Sequence, residues 1–159
     1  MTRTNDGFSL PRRVILQGVA SVALVGAFGA APAFAANDKY PEEAFKQKSS
    51  DDAIKLLYGK SAEKSDKIKL DAPEIAENGA VVPIAVSSTL SDVTAIAFLV
   101  AENPNALVAA YKIPAGTMPS VANRIKMART SNVIVVVEAG GKLYSTSKEV
   151  KVTVGGCGG

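Results

Sequence analysis

The chain has 159 residues, with 18 Lys and Arg against 15 Asp and Glu, no His, no Trp and a single Cys. Without His there is no Ser-His-Asp or Cys-His nucleophile pair, no His-ligated haem and no His-containing zinc site. One Cys closes no internal disulfide and builds no Cys₄ metal centre, while enzymes relying on Asp, Glu, Lys or Tyr alone are not excluded.

Arg12 and Arg13 precede an uncharged run from Val14 to Ala31, which leads through Pro32 to Ala33-Phe34-Ala35 ahead of Ala36. A basic start, an apolar stretch and a small-residue exit describe a secretory signal. The paired arginines of Ser9-Leu10-Pro11-Arg12-Arg13-Val14 favour the twin-arginine route. A retained membrane anchor is the competing reading, and Gly18, Ser21, Gly26, Gly29 and the Ala-x-Ala exit argue against it. The expectation is a signal over residues 1–35, cleaved near Ala35, and a periplasmic remainder free of the membrane. A lipoprotein would need Cys where Ala36 stands. Residues 1–35 hold Arg3, Arg12, Arg13 and Asp6, which leaves the remainder at a net charge of +1. No basic stripe with interleaved aromatics is present, so nucleic-acid binding is not expected. Twin-arginine cargo is exported folded, often with a cofactor or partner already bound. With so few metal ligands here, a partner is the more interesting option.

Residues 36–154 read as one domain. Pro41 to Phe45 suits a short helix, with Glu42 and Glu43 where the helix dipole favours acid. Ser49 or Ser50 then caps Asp51 to Tyr58, Gly59 stops it, and Ile54, Leu57 and Tyr58 share one face. From Ser65 onward the period is two. Ile68, Leu70 and Ala72 alternate with Lys67, Lys69 and Asp71, as in a strand with one wet face. Asn78-Gly79 marks a turn, and Val81 to Val86 follows as a strand. Val93 to Ala101, Leu107 to Ile113, Val121 to Met127 and Val133 to Glu138 come next. Glu102-Asn103-Pro104-Asn105 is a turn cluster and Ala139-Gly140-Gly141-Lys142 a hairpin. Val150, Val152 and Val154 alternate in the last strand. About seven short strands at regular spacing predict a mainly β fold, an immunoglobulin-like antiparallel β-sandwich with short N-terminal helices.

Two segments exceed what a sandwich requires. Val93-Thr94-Ala95-Ile96-Ala97-Phe98-Leu99-Val100 and Val133-Ile134-Val135-Val136-Val137 are apolar on both faces, so their outer sides need cover. An N-terminal helix is expected over one and a second protein over the other.

The last strand runs into Gly155-Gly156-Cys157-Gly158-Gly159, which holds four of the 13 glycines. Glycine visits backbone conformations closed to other residues, so residues 155–159 are expected to form a flexible, swinging arm. Three extended residues put Cys157 roughly 10 Å beyond Val154. Such an arm passes a sulfur atom down a channel too narrow for bulkier neighbours. No Lys, Arg or His flanks Cys157, so the sequence supplies nothing that favours a thiolate. This points to a handle worked on by other proteins and away from a catalytic nucleophile.

The twin-arginine signal, the small β-rich domain and Val154-Gly155-Gly156-Cys157-Gly158-Gly159 together resemble the SoxY family, sulfur carriers of bacterial thiosulfate oxidation. The resemblance implies that Cys157 bears the sulfur substrate covalently while enzymes visit it in turn, and that the carrier has no active site and no cofactor of its own. It also implies a heterodimer with SoxZ, a small β protein exported as a passenger. The implied enzymes are a haem-containing c-type cytochrome that conjugates thiosulfate, a manganese-dependent hydrolase that releases sulfate, and a sulfane dehydrogenase. Two other readings stand beside it. Cys157 forms an intermolecular disulfide, or the Gly-Gly carboxylate at Gly159 is the carrying group, as in ubiquitin-like sulfur donors. The export signal weighs against the last, because carboxylate adenylation needs cytosolic ATP.

Overall fold

Ser49 accepts the Asp52 N–H at 3.4 Å, Asp51 and Asp52 occupy the positive end of the helix dipole, and Gly59 closes the helix at φ 68° with its N–H on the Lys55 carbonyl. This is α2, Ser50–Tyr58; it follows a single turn, α1, Glu42–Phe45. The computed structural model describes residues 40–155. The expected signal over residues 1–35, and Gly156, Cys157, Gly158 and Gly159, lie outside them. Among the described residues no helix is long and apolar enough to cross a membrane.

After the helices come β1 Glu63–Lys64, β2 Ile68–Asp71, β3 Ile75–Asn78, β4 Val82–Ser88, β5 Val93–Val100, β6 Leu107–Lys112, β7 Ser120–Ile125, β8 Ser131–Ala139 and β9 Lys142–Val154. They make a mainly β sandwich, as expected. One sheet has the order β1-β9-β8-β5-β6, with β3 also on β9, and the other is β2-β4-β7. The long pairings are antiparallel, whereas β1 and β3 run parallel to β9. Gly140 and Gly141, at φ 55° and 75°, make the β8–β9 hairpin, a conformation that other residues resist.

Alternation along the strands fills two separate cores. Ile96, Phe98, Val100, Val133, Val135 and Val137 point between the sheets, against Val82, Ile84, Val86 and Ile125. Ala97, Leu99 and Val136 point the other way, into a second cluster with Ala44, Ala53, Ile54 and Leu143. The described residues therefore form three layers: the smaller sheet, the larger sheet and the helical pair.

That arrangement corrects the expected cover of the two doubly apolar strands. The strands are neighbours, with Ala97 opposite Val136 and Leu99 opposite Ile134. One helical layer of this same chain therefore covers both, and Ala97, Leu99 and Val136 are 0% exposed. Neither strand leaves an apolar face for a second protein. An Asp at position 136 would strike the fold itself, and not a subunit interface. Thr94 is exposed, and its Oγ1 lies 2.9 Å from Oε2 of Glu138. At the edge of the helical layer, burial and the Glu138 carboxylate push the Tyr58 phenol well above its ordinary pKa, so it packs as a neutral hydroxyl.

Candidate functional site

The geometry that bears on the glycine-rich segment is that of its root. β9 is 13 residues long, but β8 pairs with it only from Lys142 to Val150. The last four residues run on past β8 and are held by other partners. On one edge β3 runs parallel, with Ile75 beside Lys151, Ala76 beside Val152 and Asn78 beside Val154. There the Lys151 N–H donates to the Glu74 carbonyl at 2.9 Å, and the Thr153 hydroxyl to the Glu77 carbonyl at 2.8 Å. On the other edge the Val152 N–H donates to Oγ1 of Thr130 at 3.0 Å.

The final grip is made by a turn and a loop. In the turn after β3, the Gly79 N–H donates to the Val154 carbonyl at 2.7 Å, and the Gly79 carbonyl accepts from the Met127 N–H at 2.7 Å. Asn78-Gly79, legible as a turn from sequence, thus also ties the end of β9 to the β7–β8 loop. Met127 anchors that loop in the inter-sheet core, 0% exposed. Its neighbour Ala128 meets Gly155, where an added Cβ would collide with the Ala128 carbonyl oxygen. Sequence reading gives Gly155 one role, freedom of the arm. The structure adds a steric one: the residue lies so close to the Ala128 backbone that a side chain does not fit.

The loop is itself tied to the β5–β6 connection. The Asn103 side-chain amide donates from Nδ2 to the Lys126 carbonyl at 2.8 Å, and its Oδ1 accepts the Ala128 N–H at 2.9 Å. Next to it, the Glu102 N–H donates to Oγ of Ser131 at 3.0 Å, which gives this buried hydroxyl a partner. Sequence reading identified Asn103 only as a turn residue and missed this tie. An Asn in a turn cluster is the only signal it offers, because its partners lie 23 and 25 residues away.

Cys157 is two residues beyond Gly155, so at most about 7 Å of extended chain separates the thiol from the held root. Two open hollows, of about 710 and 680 Å³, lie elsewhere, and no residue beyond Ser147 lines either. Among the described residues no three His, Cys, Asp or Glu side chains gather as a metal site would require.

The contact at Gly155 is testable. Gly155→Ala is expected to push the end of β9 off the Ala128 carbonyl and to weaken the bond between Gly79 and Val154. The cost stays near or below ~1 kcal/mol, because a strand end relieves a clash that a closed core would hold at about 1–3 kcal/mol. Amide hydrogen exchange at Gly79 should accelerate while exchange across β5 and β8 stays slow. Unchanged exchange at Gly79 would show that Gly155 is not seated as described.

A family model described as sulfur oxidation protein SoxY matches residues 54–157, a span that closes on Cys157. Among solved structures, the chain is similar to the sulfur carrier protein SoxY from Chlorobium limicola f thiosulfatophilum. Identity is 43% and the TM-score 0.60, over 65% of this chain and 96% of that one. It is also similar to the superoxide reductase (neelaredoxin) from Ignicoccus hospitalis, at 16% identity and a TM-score of 0.49, over 54% of this chain and 80% of that one. No curated protein matches.

Proposed function

Since the chain belongs to the SoxY family of sulfur oxidation proteins, we propose that it carries sulfur covalently on Cys157 and presents it in turn to the enzymes of periplasmic thiosulfate oxidation. The observation that carries this reading is the family match reaching Cys157 itself, on a domain whose last strand is braced up to Gly155. The division of labour is between a rigid body and a short carrier segment, in which Gly156, Gly158 and Gly159 give Cys157 its freedom.

The chemistry begins with a sulfur–sulfur bond between the Cys157 thiol and the terminal sulfur of thiosulfate. Its formation releases one proton and two electrons, and the electrons pass to a c-type cytochrome. Hydrolysis of the adduct by a manganese-dependent hydrolase then consumes one water and releases sulfate and a proton. A persulfide is left on Cys157 for a sulfane dehydrogenase. The chain contributes the attachment sulfur and its delivery, with no cofactor and no active site of its own. A SoxZ-like subunit completes the carrier as a heterodimer, and it attaches elsewhere than the outer face of β5 and β8, which α1 and α2 occupy. Export by the twin-arginine route delivers the folded protein to the periplasm.

Intact-mass measurement of the protein isolated from cells oxidising thiosulfate tests the reading. A mass increase of sulfur or thiosulfate, mapped by fragmentation to Cys157, is the expected result. A second polypeptide joined through Cys157, or a modification confined to the Gly159 carboxylate, would replace it with one of the competing readings.

A further inference from the structure

With only about 7 Å of extended chain between Gly155 and Cys157, the direction in which the root points decides which points in space the thiol reaches. A long tether forgives a misdirected root, and a two-residue one does not. The groups that set that direction are therefore part of the carrier's working parts even though none of them touches sulfur.

We propose that Asn103 is the positioning residue of the arm: by holding the Ala128 backbone against Gly155 it fixes the line along which the carrier segment leaves the body. The inference rests on the carrier reading for its functional consequence, but its structural half stands independently. Asn103 uses both ends of its amide on one loop, donating to Lys126 and accepting from Ala128. The residue between them, Met127, donates to Gly79, which in turn donates to Val154. Ala128 supplies the carbonyl that excludes a Cβ at Gly155. One side chain on the β5–β6 loop thus closes a ring of contacts about the end of β9, reaching it through Met127 and Gly79 on one side and through Ala128 on the other. The amide fits the task, since a peptide-like group offers a donor and an acceptor together. A hydroxyl or a carboxylate in its place would leave one of the two backbone groups without its partner.

The test is a double-mutant cycle in the full chain, comparing Asn103→Ala, Gly155→Ala and both together. Two quantities are read: amide exchange at Gly79, and the spectrum of a nitroxide attached to Cys157. Asn103→Ala is expected to free the loop, speed exchange at Gly79 and sharpen the nitroxide spectrum, with little change in melting temperature. In that background Gly155→Ala should have little further effect, because the carbonyl it would strike has withdrawn; the two changes are then strongly non-additive. Additive effects, or a nitroxide spectrum unchanged by Asn103→Ala, would overturn the proposal. Asn103→Asp keeps the acceptor for the Ala128 N–H but has no donor for the Lys126 carbonyl, so its effects on exchange and on the nitroxide should fall between those of Asn103→Ala and the unaltered protein. Loading of Cys157 from thiosulfate by the purified conjugating cytochrome should fall about 10-fold or more in Asn103→Ala, as misplacing a reacting atom does. Reaction of the thiol with a small maleimide should not change. If the unaltered protein is never loaded, the carrier reading fails, and the exchange and nitroxide results still decide the placement of Asn103.

Discussion

Cys157→Ser is expected to abolish sulfur loading completely while leaving the folded protein as it is. The attachment needs a sulfur atom able to share electrons with the sulfur of thiosulfate, and a serine hydroxyl forms no such bond. Cys and Ser are close in size, and the substitution lies beyond the last residue of β9, so the melting temperature should stay within about a degree. Thiosulfate-dependent electron flow in the reconstituted system should drop to that seen without the carrier. Intact mass should show no added sulfur at any exposure to thiosulfate. Sulfur recovered on the Ser variant, at any residue, would end the assignment of Cys157 as the sole attachment point.

The second large effect lies in the fold. Val136→Asp puts a carboxylate in the layer between β8 and the helices, inside the apolar cluster that Val136 shares with Ala53, Ile54 and Leu143. An uncompensated buried charge costs roughly 3–5 kcal/mol. Against a total stability of about 5–15 kcal/mol for an ordinary domain, that removes a large share. A loss of more than about 10 °C in melting temperature by circular dichroism is expected. Thr94→Asp, at an exposed position of β5 facing Glu138, should cost far less. If the Val136 variant instead melts normally and loses a partner subunit, the outer face of β8 is an interface after all.

The contrast between these strands and their sequence shows where legibility stops. The Ser49 cap, the Gly59 stop and the alternation in β2, β4 and β9 are local, and each is decided by residues within a turn or two. The two-faced character of β5 and β8 was equally plain. Their adjacency was not, because pairing Ala97 with Val136 is a long-range choice made by the whole sandwich. Without it, one helical layer and one foreign protein looked necessary where the helices alone suffice. β1 and β3 left no pattern to read. Glu63 and Lys64 are both exposed, and β3 buries only Ala76. They are strands because β9 offers them an open row of N–H and C=O groups, and the residues themselves do not ask for it. The seat of Gly155 was hidden for the same reason, since its neighbour Ala128 is supplied by another loop.

The position of β9 in the larger sheet also orders events on the ribosome. Among the described strands this one is made last, yet it sits inside the sheet, with β8 on one edge and β1 and β3 on the other. Until it emerges, β8 has an open edge and the two parallel strands have nothing to pair with. Its partners lie far back in the chain, Glu63 with Tyr144 and Ile75 with Lys151, so closure is a late and non-local event. The thiol follows three residues behind Val154. A nascent chain therefore acquires its cysteine only three residues after its last strand, and a chain cut within β9 lacks both. Such a fragment keeps its unpaired edges exposed, the surface that chaperones and proteases act on. Chains that end before β9 is complete are thus recognisable by their failure to fold, with no need for anything to inspect the sulfur.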